Sequence, residues 1–503
     1  MADTNTQKGK ELTVTSAPDQ LREWLTDLGW WKSVAHATLS VRWLRKGEQR
    51  LDASYYGSHV VQAVRLVVES GYEIANLGDL ASHLGYPGRF KRVYADTEDS
   101  GIPFLTVSQM LHFRPISDRF LAYSCASLTS CLVQPGWLLV TRSGTVGRCV
   151  IVGKRLSRFA ISDDAIRIET KDIPTGYLYA FLSSWIGQAL LSKDQYGSAI
   201  KHLEPAHLAR LAVPILPEAE RDAIHTRIAR AYSLRDEVND LFDEADKMLH
   251  SELGLQQFDA IAVDYLSAPD QERAKPHMPH SHAFVVTACE LNGRLDASHH
   301  VPIIRAALHQ LHRSKYRACA LGALVENVVI PPRFKRIYVS KNDGVPFLRP
   351  SHLPQMRPHD LGHISRLTRV LGSLLLRKGD VLVTTDGTVG RISLVSSRRE
   401  GWAGSNNIGR ITYGPQDGRN GYLAAFLMTP YGQHQLRRET YGGVVDHIEV
   451  PHIEHVLVPD APHEVQTAIG ERVVRAFEKK DEATRIEETA IGRLETLLAA
   501  PHA

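Results

Sequence analysis

Two short segments of this 503-residue chain place basic and aromatic side chains at the same spacing. Arg89, Lys91 and Arg92 are interleaved with Phe90 and Tyr94, and Arg333, Lys335 and Arg336 with Phe334 and Tyr338. Cations set this closely can neutralise phosphates and release their counterions, and an arginine can also read guanine in the major groove through two hydrogen bonds. A solvated charged strand face is the competing reading of either cluster alone; recurrence brings the two readings level. A second pair of segments follows strand-like runs: Arg142-Ser143-Gly144-Thr145-Val146-Gly147-Arg148 and Thr385-Asp386-Gly387-Thr388-Val389-Gly390-Arg391. Two glycines let such a loop turn sharply and expose amides to a phosphate, although an ordinary tight hairpin has the same pattern. We read a structural turn lying close to nucleic acid. The difference at its start, Arg142-Ser143 against Thr385-Asp386, is what reading two different half-sites on a shared frame requires. The candidate DNA-binding residues are therefore Arg89, Lys91, Arg92, Tyr94, Arg142, Ser143, Thr145, Arg148 and Lys201, and Arg333, Lys335, Arg336, Tyr338, Thr385, Asp386, Thr388 and Arg391.

The sequence carries no familiar catalytic motif. The sequence contains no GxxxxGK[ST] phosphate loop and no GxGxxG opening a helix after a strand. An Asn/Asp-Pro-Pro-aromatic motif for methylating an amine is also missing. Asp163-Asp164 followed by Glu169 and Lys171 resembles a metal-dependent nuclease core. However, the carboxylate lies only five residues before the glutamate, and the matching stretch Ser405 to Tyr413 has neither acids nor lysine. An edge strand with exposed polar ends is the favoured reading. The expectation is a chain without catalytic residues, metal or cofactor. An enzyme with an unrecognised nuclease or methyltransferase site is the alternative, and a scaffold that no longer reads sequence is a third.

These segments are parts of a longer duplication. Leu51-Asp52-Ala53-Ser54 recurs at Leu295 to Ser298, Gly101-Ile102-Pro103-Phe104-Leu105 at Gly344 to Leu348, Gly176-Tyr177-Leu178 at Gly421 to Leu423, and Tyr196-Gly197 with His202 and Glu204 at Tyr441-Gly442 with His447 and Glu449. The offset stays between 243 and 245 positions through the whole series. A period this long is not a solenoid repeat, so each copy is a complete domain with its own core. Pseudo-two-fold symmetry within one chain follows, with two related surfaces.

Residues 75–215 and 318–460 alternate short β-branched runs with Gly, Pro and helical stretches such as 176–192 and 421–437, so each copy reads as a mixed α/β domain. A polar helix with an apolar seam ends each copy. The first seam is Ile224, Ile228, Ala231, Leu234, Val238, Leu241, Ala245 and Met248; the second is Ile469, Val473, Ala476, Ala483, Ile486, Ala490, Leu494 and Leu497. Pro217 and Pro462 stand just before them, as helix starts favour. The economical partner for each is the other, although each could instead pack on its own domain. At its length the first helix spans roughly 50 Å. The expected organisation is an N-terminal segment 1–50, a domain 51–217, a helix 218–250, a linker 251–294, a second domain 295–462 and a second helix 463–503. The linker contains a Pro- and His-rich stretch from Ala268 to His282, whose histidines read as polar linker residues rather than metal ligands.

Composition sets the outer bounds. Hydrophobic residues make up 43% and charged residues 23%, which suits a folded globular chain with ample core. No run of about 18 apolar residues and no apolar segment after the first charges is present, so the protein is expected in the cytoplasm and away from membranes. Five cysteines without a CxxC pair argue against a disulfide framework or zinc site. A net charge of +3 identifies no partner, because binding depends on where the cations cluster.

The Leu-Asp-Ala-Ser-Tyr-Tyr start at Leu51, the Pro-Phe-Leu strand, the Val-Thr-Arg-Ser-Gly-Thr-Val-Gly turn and the long helix after each domain together resemble the specificity subunits of type I restriction-modification systems. The resemblance covers roughly residues 50–498; each motif is loose, while their order and duplication are specific. It implies two pseudo-symmetric α/β target-recognition domains joined by two long antiparallel coiled-coil-like helices, without catalysis of its own. Each domain would read one half of a split site in double-stranded DNA. Two DNA methyltransferase subunits would dock on each chain, and a restriction or translocase subunit could join them. Recognition domains vary across that family, so base-reading residues do not transfer. The first 45 or so residues, with Trp24, Trp30, Trp31 and Trp43, do not match it clearly.

Overall fold

The computed structural model describes residues 58–95, 98–117, 119–193, 202–256, 285–291, 293–414 and 417–500. The N-terminal segment with its four tryptophans, the Leu51 to Ser54 motif, Lys201 and the histidine-rich linker stretch lie outside the described residues.

The chain divides into two units. The first takes the described residues up to Leu111, then Pro115–Tyr232 and those from Arg485 onward; the second takes His112–Arg114 and the described residues of Ser233–Thr484.

In the first unit, helix α1 (Ser58–Glu69) leads into strands β1 (Glu73–Asn76), β2 (Ala81–Gly85), β3 (Tyr94–Ala95), β4 (Gly101–Leu105) and β5 (Phe120–Ala122). A short helix α2 (Leu128–Cys131) precedes β6 (Leu138–Thr141), β7 (Cys149–Ile151), β8 (Ala160–Ile161) and β9 (Ala165–Thr170). Helices α3 (Thr175–Ser183), α4 (Trp185–Lys193) and α5 (Pro205–Ala209), strand β10 (Ala212–Ile215) and the long helix α6 (Glu218–Leu253) follow. The strands form sheets in the orders β2-β9-β6-β7, β3-β5-β4-β8 and β1-β10.

The second unit repeats this order. It runs α7 (Pro302–His312), β11 (Ala318–Ala320), β12 (Asn327–Val329), β13 (Tyr338–Val339), β14 (Gly344–Leu348), β15 (Gly362–Ser365) and α8 (Leu371–Leu374). It continues with β16 (Val381–Thr384), β17 (Ile392–Leu394), β18 (Ala403–Gly404), β19 (Ile408–Thr412), α9 (Arg419–Met428), α10 (Pro430–Arg438), α11 (Val450–Glu454), β20 (Leu457–Pro459) and α12 (His463–Ala499). Its sheets are β12-β19-β16-β17, β13-β15-β14-β18 and β11-β20, strand for strand the same. The duplication seen in the sequence is therefore a duplication of topology, and the fold is mixed α/β with two such domains sharing two long helices.

The first sheet of each unit lies in the main core. Leu138, Leu139 and Val140 of β6 pack with Ile166 and Ile168 of β9, with Tyr177 and Phe181 of α3, and with Ile224 and Ile228 of α6. The matching core joins Val381 and Val383 to Ile411, Tyr422, Phe426, Ile469 and Val473. The second sheet has its own small core, Phe104 with Leu121 and Ala160, or Phe347 with Ile364 and Ala403; Phe90 and Phe334 pack against these.

Three sequence expectations are corrected. Strand β9 is not at an edge: it lies between β2 and β6, and its first four residues are all buried, Arg167 included, so the strand is covered on both faces rather than one. The stretches 176–192 and 421–437 are each two helices. The second breaks where Thr429 accepts from Gly432 N as an N-cap and Pro430 opens the new helix, and the first breaks at Ser184. The seam of α6 also changes phase, burying Phe242 and Leu249 while Leu241 and Met248 are only half-buried. A spacing of three or four drifts around a helix of about 3.6 residues per turn, and the bulky Phe242 takes the inward position.

Each long helix contributes to both units. In the first, Glu220 of α6 holds Arg493 of α12 at 2.5 Å; in the second, Glu237 holds Lys479 at 2.5 Å and Glu244 meets Arg472 at 3.6 Å. Partners retreat along α12 as α6 advances, so the two run antiparallel. Phe113 inserts its ring between Phe242 and Phe477 of the second unit, with centroids 5.8 and 5.7 Å away.

Candidate nucleic-acid interface

The hairpin joining β6 to β7 is built by one buried hydroxyl. Thr141 Oγ1 donates to the Thr145 carbonyl and accepts from Arg148 N at 2.9 Å, while Gly147 N returns to Thr141 O at 2.9 Å. The turn closes because Gly144 and Gly147 take φ of 75° and 81°, a region that a side chain disfavours. The second unit repeats each part: Thr384 donates to Thr388 O, Arg391 N donates to Thr384 Oγ1 at 2.9 Å, and Gly387 and Gly390 have φ of 73° and 87°. A glutamine from the following helix locks each turn, Gln188 onto Gly147 O at 2.8 Å and Gln433 onto Gly390 O at 2.6 Å. These glutamines were missed in the sequence, although Gly187-Gln188 and Gly432-Gln433 recur at the same offset.

The two tips are alike, Gly-Thr-Val-Gly in both, and the hairpins differ in the pair of residues before them. Thr145 and Thr388 are exposed in both, and Ser143 is half-buried. Arg142 is only 7% exposed. Its guanidinium lies over the Tyr86 ring at 4.4 Å and meets Glu204 at 2.5 Å and Asp164 at 3.7 Å. At the matching place Thr385 is buried and donates to Asp386 Oδ2 at 2.7 Å, while Asp386 Oδ1 lies 2.5 Å from His447 Nδ1. Arg148 and Arg391 are half-buried, and burial lowers the Arg391 pKa.

The basic segments adjoin these tips. Arg89, Lys91, Arg92 and Tyr94 are exposed between β2 and the start of β3, as are Arg333, Lys335, Arg336 and Tyr338 before and within β13. Arg92 lies over Phe104 at 5.4 Å and Arg336 over Phe347 at 5.5 Å; Tyr94 and Tyr338 meet the same rings edge-on. Arg92 then donates to Asp163 at 2.5 Å, and the bond holds its pKa up. Arg336 donates to Asn406 at 3.0 Å. The next residue in each case reaches the hairpin: Asp164 O accepts from Arg142 N at 2.8 Å and Asn407 O from Thr385 N at 3.1 Å. Two residues before β9 or β19 thus couple the basic segment to the glycine turn, twice.

This coupling accounts for the nuclease-like acids. Asp163 and Asp164 face arginines at the start of β9, whereas Glu169 and Lys171 are exposed at its far end, some 16 Å along the strand at about 3.3 Å per residue. Arg167, buried enough for its pKa to fall to about 10, donates to the carbonyls of Ile161, Ser162 and Ala165 and supports the acidic turn. Among the described residues no three His, Cys, Asp or Glu side chains are grouped to hold a metal ion, and no described helix is long and apolar enough to cross a membrane.

The fold and surface define a duplicated α/β chain with one cationic, glycine-turn face per copy. No protein-family model and no curated protein matches the sequence. Among solved structures, the chain is similar to a type I restriction-modification S subunit from M. genitalium, at 11% identity over 85% of this chain and 95% of that one, with a TM-score of 0.34. It is also similar to an HsdS subunit from Thermoanaerobacter tengcongensis, at 13% identity over 85% and 96%, TM-score 0.26. A third is a chain from a structure describing complex assembly and conformational transition of the type I R-M system, at 14% identity over 85% and 97%, TM-score 0.26.

Proposed function

We propose that this chain is the DNA-reading specificity subunit of a type I-like restriction-modification or related methylation-based defence complex. The observation that carries the reading is the twice-built junction in which an exposed Arg/Lys segment is coupled through Asp163-Asp164 or Asn406-Asn407 to a glycine hairpin whose tip is shared and whose preceding pair, Arg142-Ser143 or Thr385-Asp386, differs. A shared frame with altered residues beside the turn is what a reader of two unlike half-sites needs, the cations gripping phosphates while the hairpins meet base edges. Residues 51–217 and 295–462 are the two target-recognition domains, with Lys201 among the DNA contacts proposed for the first from its sequence position. The helices after them set the gap between half-sites, on the order of 10 base pairs centre to centre if both domains enter the same face of the duplex. Chemistry is left to partners: about two methyltransferase subunits per chain, one for each related surface, and in a cleaving system a translocating nuclease. The chain itself is non-catalytic and works in the cytoplasm.

The test is purification of the tagged chain from its host, mass spectrometry of what copurifies, and selection from random duplexes with the recovered complex. Methyltransferase subunits and a split sequence with a constant gap are expected. Recovery of the chain alone with nuclease or methyltransferase activity overturns the reading.

A further inference from the structure

Beside the hairpin tip of the second unit stands an apolar loop that the proposed DNA face does not yet explain. Between Tyr441 and His447 the chain runs Gly442-Gly443-Val444-Val445-Asp446. Val444 is 99% exposed, and Val445 and Tyr441 are also exposed, so three apolar side chains face solvent within five residues. Single exposed valines are ordinary; this group is held out by construction. Tyr441 and His447 exchange backbone hydrogen bonds of 3.1 and 2.8 Å, and Gly387 N at the hairpin tip donates to Asp446 O at 2.9 Å. The His447 ring is fixed by Asp386, and Ile448 N donates to Thr385 O at 3.0 Å. The turn itself admits only glycine at its start: Gly442 has φ of 118°, and a Cβ there would sit 2.2 Å from Val445 O. A constrained backbone thus carries Val444 outward, fastened to the tip that holds the exposed Thr388. Tyr441 in turn donates its hydroxyl to Glu449 Oε1 at 2.7 Å, which holds that end of the turn.

We infer that Val444 is a specificity-determining residue that packs on the C5-methyl of a thymine in the second half-site; this rests on the DNA-reading function proposed above. The loop is fastened to the glycine hairpin that the proposed function sets against DNA, and the exposed Arg333, Lys335 and Arg336 belong to the same unit, so the occupant is nucleic acid. The apolar group that a base edge displays in the major groove is the thymine methyl, and small aliphatic side chains are its natural contact. Different apolar tips would favour different bases, and at the matching positions of the first copy the sequence has Ala199-Ile200 in place of Val444-Val445.

The experiment uses the full-length chain with its copurified partners and the DNA selected by that complex. Each thymine of the second half-site is replaced in turn by deoxyuridine, which lacks only the methyl, and binding is compared for wild type and Val444→Ala. Loss of about one buried methyl corresponds to roughly a fourfold weakening. Wild type should show that loss at one thymine, and Val444→Ala should bind thymine and deoxyuridine equally there. The side chain is fully solvated, so the variant should fold normally, and an unchanged melting temperature checks this. A half-site in which no thymine methyl matters, or a Val444→Ala protein that still discriminates, overturns the assignment while leaving the DNA-reading function standing. Failure to select any sequence is the separate result that removes the function itself.

Discussion

Arg92 donates from Nη2 to the Asp163 carboxylate at 2.5 Å, whereas its counterpart Arg336 donates to the Asn406 amide at 3.0 Å. One recurring joint is thus an ion pair in the first copy and neutral on the acceptor side in the second. The first arginine must share its charge with an acid before meeting phosphate; the second brings it whole. Asp163→Asn should therefore tighten binding to the first half-site and steepen the dependence of log affinity on log salt by up to about 0.9. Arg336→Gln should flatten the slope at the second half-site by a similar amount. Fluorescence anisotropy across a salt series checks both, and identical slopes for wild type and the two variants would return these arginines to a solvated surface role.

The triple change of Arg89, Lys91 and Arg92 to Ala should weaken binding across all sequences and flatten the salt slope by roughly two to three. Their matching set, Arg333, Lys335 and Arg336, should behave alike. Arg89 and Lys91 are exposed, but Arg92 is the partner of the buried Asp163 carboxylate, so the first triple change should also cost stability on the order of 1–3 kcal/mol. Urea unfolding beside the binding series separates the two effects.

Thr141 is buried and its hydroxyl both donates to Thr145 O and accepts from Arg148 N. Thr141→Val preserves shape but leaves two backbone groups without that partner, at about 1–3 kcal/mol. The same holds for Thr384→Val in the second copy. Each variant should unfold at lower urea and lose sequence preference in its own half-site only. Loss of preference in both halves from one substitution would show that the tips do not read independently.

His352 gives the second unit an acid sensitivity. It is 1% exposed, its Nδ1 accepts from Arg349 N at 3.2 Å, and burial foremost, with Arg349 beside it, holds its pKa at about 4. The native ring is neutral, while in the unfolded chain it titrates near 6.5, so acid favours unfolding. Stability from this group is complete above about pH 6.5 and is lost as pH falls towards 4, on the order of 3 kcal/mol in all. His112 and His434 of the same unit are also pushed down to about 4 by burial and add to the loss. His352→Asn keeps an acceptor for the Arg349 amide but cannot titrate. Its unfolding midpoint should fall less than that of wild type between about pH 7 and 5, and parallel curves would refute the assignment.

Much of the architecture was legible because duplication writes it twice. The matching glycines, threonines and basic clusters showed two domains, and each strand-rich run became the same strand in both copies. Burial hid other features. Ile166-Arg167-Ile168-Glu169 alternates apolar and charged residues as a half-exposed strand does, yet β9 is covered on both sides and Arg167 is buried on three carbonyls, so periodicity could not place it inside the sheet. The phase of α6 depended on whether Leu241 or Phe242 faces inward, a choice made by packing with Phe113 and Phe477 from distant segments. Of the proposed contact surface, residue types and recurrence were readable. The ion pairs that tie Arg92 to Asp163 and Arg142 to Glu204 join residues 71 and 62 positions apart, and no local pattern announces them.

The long helices offer a test of the division of labour. Ile224 and Ile228 of α6 and Leu494 of α12 belong to the first core, while Val238 and Phe242 of α6 and Ile469 and Val473 of α12 belong to the second. Residues added where one set gives way to the other, after Tyr232 in α6 and after Thr484 in α12, should leave both hairpins intact, with the strain falling on the short connection from Leu111 to Phe113, whose ring is seated in the second core, and some stability lost there. Seven residues in each helix preserve the seam phase and add roughly 10 Å. Along B-DNA that is about three base pairs at about 3.4 Å each. The selected sequence should keep both sets of bases and widen the gap by about that number, whereas lengthening one helix alone should disrupt the pairing of Glu237 with Lys479 and Glu220 with Arg493 and lower stability. Selection with the doubly extended protein decides the matter: if the bases change while the gap does not, the helices are part of the reading surface and not a ruler between two readers.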